Sequence, residues 1–230
     1  MLCVLAGCQV AAAQTPTPTP ATGKESAPEI DVFVNINQKF RFYFFASESK
    51  GLEDGSTGGK VSYEAIFGAH LDYRPSKYVL FRTGYRFRTP TGSGTGPKEH
   101  RIVAEQTFQK KLLHNILLSD RNGEDFRIID GDFSFRYRNR PRVEREFKGP
   151  KGRTFNPYAA VEIFYDSRYN DAKKKNYTFG TELGVTRGKR DKLFLFKHQI
   201  VLDVSFTRVN DPHSSVPHTN VFGSTLTFYF

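Results

Sequence analysis

Apolar and polar residues alternate one by one along most of this chain, in runs longer than the usual soluble strand. In "EIDVFVNINQKFRFYFFA" the even positions read Ile30, Val32, Val34, Ile36, Gln38, Phe40, Phe42 and Phe44. The odd positions include Glu29, Asp31, Asn35, Asn37, Lys39 and Arg41. A period of two sends successive side chains to opposite faces of a strand. This segment is therefore greasy on one face and polar on the other, well beyond the about 5–6 residues usual for a strand.

The pattern recurs. Val61, Tyr63, Ala65, Phe67, Ala69, Leu71 and Tyr73 share one face of the next segment, opposite Glu64, His70, Asp72 and Arg74. Val79, Phe81, Tyr85 and Phe87 stand against Arg82, Arg86 and Arg88. Phe133, Phe135, Tyr137 and Val143 alternate with Arg136, Arg138, Arg140, Arg142, Glu144 and Glu146. "NPYAAVEIFYD", "NYTFGTELGVT" and "LFLFKHQIVLDVSFTR" repeat it. "NILLSDRNGEDFRII" is the least regular segment; it reads as one strand turning at Asp130-Gly131 rather than at Asn122-Gly123, which would leave a strand too short to span.

The spacing predicts about ten strands of roughly 10–16 residues, with twelve as the alternative. A tilted membrane strand needs about 9–11. A sheet in hydrocarbon must close, because an open edge cannot be hydrated there. The expectation is an all-β, transmembrane, antiparallel up-and-down barrel with short periplasmic turns and longer external loops. An even strand number would place both chain ends on one side.

Hydropathy alone would give a soluble protein: the mean is −0.52 and 25% of residues are charged. The 22 Phe and 11 Tyr, set in alternation, argue otherwise. At 230 residues the chain suits one domain. Residues 1–13 read as a signal peptide with Ala11-Ala12-Ala13 before the cleavage point, although a basic start is missing. "LAGC" offers the alternative of a lipidated Cys8. Residues 14–28 read as a Pro/Thr-rich disordered linker, and residues 29–230 as the barrel.

If the aromatic faces meet lipid, the polar faces become a lumen. Its basic ladder is Arg82, Arg86, Arg88, Arg121, Arg127, Arg136, Arg138, Arg140 and Arg142. Its acidic partners are Glu64, Asp72, Glu105, Asp125, Glu144, Glu146, Glu162, Glu182 and Asp203. An unpaired Arg in so narrow a space costs several kcal/mol, whereas a forked Arg–carboxylate pair keeps most of its hydrogen bonds. The lumen should be largely plugged by ion pairs, with at most a thin, anion-leaning path. The net charge of +10 does not point to nucleic acid, because the arginines alternate with aromatics that must face elsewhere.

The chain closes on "FGSTLTFYF". Gly223, Leu226, Phe228 and Phe230 resemble the assembly signal of bacterial outer-membrane barrels, apart from Val221 where that pattern prefers a polar residue. The resemblance implies the barrel-assembly machinery as a partner, the outer membrane as location, and outer-membrane lipid and lipopolysaccharide as surroundings. "FRYRNRPRVE", with "SDRNGEDFR" before it and "NPYAAVEIFYD" after it, resembles a bacterial family of outer-membrane barrels, domain of unknown function 2490, over roughly residues 29–230. That family implies fold and location only.

Other chemistry is thin. His213, Ser214, Ser215, His218 and Asn220 cluster in "NDPHSSVPHTN" and could support acyl chemistry, but loops are rich in these residues. Two histidines without a placed third ligand make no metal site. "TGSGTGPK" lacks the ending of a phosphate loop. Lys173, Lys174 and Lys175 could meet lipopolysaccharide phosphates. The sequence implies no cofactor. The reading is an integral outer-membrane barrel, a narrow porin-like channel and not an enzyme. The alternatives are a membrane-embedded lipid or ester hydrolase and a structural or adhesive barrel.

Overall fold

The computed structural model describes residues 22–53, 63–91, 96–186, 199–214 and 216–230. The expected signal peptide, the start of the linker, and the apolar "LFLFKH" segment lie outside the described residues. Twelve strands follow in chain order: β1 (Thr22–Asn35), β2 (Phe40–Glu53), β3 (Tyr63–Ser76), β4 (Val79–Pro90), β5 (Glu99–Lys111), β6 (Ile116–Ile129), β7 (Asp132–Arg145), β8 (Phe147–Lys148), β9 (Arg153–Asp166), β10 (Asp171–Thr186), β11 (Gln199–Asn210) and β12 (His218–Tyr229). Eleven of them form one closed wall in which chain neighbours pair antiparallel. The two-residue β8 is an extra piece paired with the start of β9.

Three features differ from the expected ten-strand, purely antiparallel barrel. The segment from Ile30 to Ala46 is two strands, not one. Ile36–Lys39 form a turn in which the Asn37 Oδ1 accepts the backbone N–H of Lys39 and Phe40 at 2.8 and 2.9 Å. Four connecting residues keep even positions on the same face through the turn, so Val34 pairs Phe42 and the alternation never slips. The strand number is odd, so β1 and β12 run the same way. Their seam is parallel, from Thr22 opposite His218 to Phe33 opposite Tyr229. Thr22 and Phe230 therefore sit at opposite rims. Finally, β1 begins at Thr22, inside the stretch expected as linker, because pairing with both β12 and β2 orders even its polar residues.

β6 runs unbroken through Asn122-Gly123 and turns into β7 at Asp130 and Gly131, both at positive φ (50° and 98°). That is the backbone a tight two-residue hairpin requires.

The wall is inside-out relative to a water-soluble protein. Ile102, Phe179, Phe67 and Phe222 are half or more exposed on its outer face, while Asp125, Asp72 and Arg127 are almost fully buried within. Exposed apolar residues recur on the outer face of every strand of the wall, giving a broad apolar exterior that turns polar toward the Thr22 rim of β1 and β2.

Candidate functional site

The inward positions of β2 to β10 converge on a packed, charged lumen. Toward the Thr22 rim, Glu99 accepts two bonds from Arg101 at 3.0 and 2.7 Å and has Arg88 at 3.6 Å. Arg88 also pairs with Glu64. Arg127, buried, donates to Asp166 at 2.7 Å. At mid-height Asp125 is the hub. Arg136 donates to it through Nε and Nη2 at 2.9 and 2.7 Å, and Arg138 at 3.2 Å. Arg138 also donates to Glu105 at 2.5 Å and lies 3.5 Å from Glu162. Arg86 is 3.5 Å from Glu105, and Arg121 is 3.6 Å from Glu162. Toward the Phe230 rim, Asp72 accepts from Arg41 and Arg82, each at 2.7 Å, and Arg142 bridges Glu144 at 2.6 Å and Glu182 at 2.5 Å.

Cross-strand register makes these pairs. Asp125 lies opposite Arg136, and Asp72 opposite both Arg41 and Arg82. Gly123 lies opposite Arg138, and a Cβ there would sit 3.4 Å from the Arg138 Nη2. The absent side chain leaves room for the guanidinium that reaches Asp125, Glu105 and Glu162.

Two of the named acids take other partners. Asp203 accepts from the Tyr158 hydroxyl at 3.0 Å. Glu146 follows β7 at the Phe230 rim, 3.7 Å from Lys148 and away from the ladder. Arg140 is the exception among the nine arginines of the ladder. It makes no ion pair among the described residues, and its Nε has no hydrogen-bond partner. It lies directly opposite Arg121. The two help line a cavity of about 320 Å³, with Arg41, Arg74, Arg82 and Arg142 against only Glu105, Glu144 and Glu182. That lumenal space carries an excess of positive charge and can hold an anion.

Sequence reasoning missed the aromatic part of the lumen. Phe33, Tyr43 and Tyr229 stack inside, with Phe33 centred 4.5 Å from Tyr43 and 4.9 Å from Tyr229. Tyr43 also stacks on Phe45 and His70. Arg41 lies 4.2 Å over Phe33, Arg82 4.1 Å over Tyr43, and Arg142 3.8 Å over Tyr158. Such contacts are worth about 0.5–2 kcal/mol each and hold the arginines flat against the wall. The signal was the unbroken run Phe42-Tyr43-Phe44-Phe45, which puts aromatics on both faces. Arg41, Glu99, Arg101 and Asp166 were missed as well. They belong to the same network, at strand ends where the pattern is short.

The gathered residues of the "NDPHSSVPHTN" loop do not form an acyl-transfer set among the described residues. His213 Nε2 lies 3.0 Å from Asp171 Oδ1 and its ring stacks on Tyr169, while His218 Nδ1 lies 3.0 Å from Asn210 Oδ1. Ser214 Oγ accepts from the Val216 N–H, and Ser215 lies outside the described residues. The three lysines do not share a face. Lys174 turns inward to Asp211 at 2.8 Å, while Lys173 and Lys175 are exposed. Partial burial pushes the Asp211 carboxyl up, but the Lys174 ammonium outweighs it and holds the group below its ordinary range.

A family profile described as "Protein of unknown function (DUF2490)" matches residues 23–190. Among solved structures, LpxR from Salmonella typhimurium superposes with a TM-score of 0.55 at 7% identity, over 82% of this chain and 83% of that one. At that identity the likeness is one of fold. No curated protein sequence matches the chain.

Proposed function

We propose that this chain, which belongs to the DUF2490 family of proteins of unknown function, is an integral outer-membrane barrel whose lumen is a narrow, anion-preferring passage. The apolar outer wall supports the membrane reading, since it has no aqueous explanation at this extent. Interiors of eight-stranded barrels are filled by side chains and those of 16–18 strands are aqueous. Eleven strands with a lumen of paired Arg and carboxylate lie near the filled end, so any flux is small. The observation that carries the anion preference is the Arg121–Arg140 confrontation in an under-neutralised cavity. Surrounding lipid and lipopolysaccharide would meet the apolar wall and the exposed Lys173 and Lys175. The barrel-assembly machinery would engage β12 through Gly223, Leu226, Phe228 and Phe230.

Single-channel recording in planar bilayers tests this. Small anion-selective steps that lose selectivity in Arg140→Gln are the expected result. Large unselective conductance would overturn it. Lipid hydrolysis lost in Ser214→Ala or Ser215→Ala would favour the hydrolase instead, and neither activity would leave a structural barrel.

A further inference from the structure

The outer wall is mostly apolar; polar residues stand on it toward the Thr22 rim, with Ser26 on β1 and Glu48 and Lys50 on β2, and in a second place, on β6 and its neighbours. On β6 the outward residues run Leu118, Asp120, Asn122, Glu124, Phe126 and Ile128. The apolar exterior is interrupted for three outward positions in succession. The neighbouring strands match it: Gln106 on β5 lies opposite Asn122, and on β7 Asn139 lies opposite Asn122 and Tyr137 opposite Glu124. Asn122 is the seventh of the fourteen residues of β6, so the patch sits at mid-height.

Part of this patch satisfies itself. The Tyr137 hydroxyl donates to Asn122 Oδ1 at 2.5 Å. Asn139 Nδ2 donates to Asp120 at 2.8 Å and to Asn122 at 3.0 Å, and Asn122 Nδ2 reaches Asp120 at 3.2 Å. Two groups stay without a hydrogen bond or ion pair among the described residues: the Gln106 amide and the Glu124 carboxylate, both exposed. Beside them lies a groove of about 380 Å³ with Leu71, Tyr73 and Phe81 on its far side.

On the membrane reading above, hydrocarbon would cover this patch and could offer it no hydrogen bonds, at a cost of several kcal/mol per unmet group. Lipid headgroups lie at the rims and cannot reach mid-height. A second copy of the chain can. Two copies in one membrane share a depth, so a mid-height patch meets itself across a two-fold axis along the membrane normal, without vertical offset. Amides donate and accept, which makes Gln106 self-complementary and lets Gln106 of one copy donate to Glu124 of the other. Isologous contact of this kind is the commonest route to a symmetric dimer. We infer that the Gln106–Asp120–Asn122–Glu124–Asn139 patch is the interface of an intramembrane homodimer. The inference rests on the membrane reading.

The test is the mass of the full chain in lipid nanodiscs, combined with cross-linking. Wild type should be dimeric. In a Cys3→Ser, Cys8→Ser background, Gln106→Cys should be joined by a short bismaleimide, while Phe179→Cys, exposed on β10 four strands round the wall from β5, should not. Gln106→Leu with Glu124→Leu should raise the dimer dissociation constant roughly tenfold or more. A folded wild-type monomer in nanodiscs overturns the dimer and leaves the membrane reading intact. So does equal cross-linking at both positions, or a monomer that carries bound lipid lost in Glu124→Leu. A chain that is folded and monodisperse without detergent overturns the membrane reading itself.

Discussion

Asn35 holds the Phe230 carbonyl twice: its backbone N–H donates at 3.0 Å and its side-chain Nδ2 at 2.8 Å. Phe230 N–H returns a bond to the Phe33 carbonyl at 2.8 Å. These bonds extend the β1–β12 seam to its last residue. Asn35→Ala removes one of the three and should cost about 1 kcal/mol, read as the urea unfolding midpoint in lipid vesicles. Deleting Phe230 removes all three and should lower the midpoint further. Equal midpoints for both variants would show that the seam is not held there.

Asp125 is fully buried and takes bonds from Arg136 and Arg138. Asp125→Ala leaves two guanidinium groups without their shared acceptor. Breaking a buried pair costs about 3–5 kcal/mol. The barrel should lose its resistance to unfolding in dodecyl sulfate at a lower temperature, measured by the shift in gel migration on heating. A variant that migrates like wild type at every temperature would refute the hub.

Arg140→Gln should behave in the opposite way. Arg140 gives up no ion pair and loses its repulsion with Arg121, so stability should hold or rise. Arg138→Gln, which abandons Glu105 and Asp125, should fall by several kcal/mol. Matched losses in the two variants would contradict an unpaired Arg140.

Gly68 lies under the Phe45 ring, which occupies the space a Cβ would need. Gly68→Ala forces that ring off its stack with Tyr43 and His70. Overpacking of this kind costs about 1–3 kcal/mol. Adding Phe45→Ala should make the loss less than additive, which a double-mutant cycle on unfolding midpoints would measure.

The Asp211 carboxyl is held low by Lys174, so its contribution to stability is present above the ordinary carboxylate value of about 3.9 and is lost as pH falls through its lower folded value. Asp211 follows β11 at the rim and both partners of the pair are partly exposed, so the effect should stay below about 1 kcal/mol. Asp211→Asn should be slightly less stable than wild type at pH 6 and equal to it at the acid end of the profile. A difference that grows as pH falls would reverse the sign and sink the assignment.

Alternation made the architecture legible. Residues Glu64 through Arg88 and Phe133 through Glu144 face as a period of two dictates. It failed in two physically different ways. Across Ile36–Lys39 the turn preserved the phase, so periodicity could not see a break that Asn35 and Asn37, as turn formers, did announce. In β6 the period was obscured because outward positions are polar, and the most irregular segment of the sequence proved to carry three polar outward positions in succession. The Arg121–Arg140 opposition was within reach and went undrawn: a two-residue turn at Asp130-Gly131 sets Ile129 opposite Asp132, and counting back along both strands brings Arg121 opposite Arg140.

The like-directed seam has a consequence for how such a chain could enter a bilayer. Ten strands can be delivered as five hairpins whose two ends never leave the side they start from. The eleventh has no such companion. On the membrane reading, one of the two seam strands, β1 or β12, would have to be carried across the full hydrophobic thickness alone, with its backbone groups unmatched until it docks. Machinery that completed such a barrel in a bilayer would have to shelter a solitary strand, and that step should be the slowest in its biogenesis.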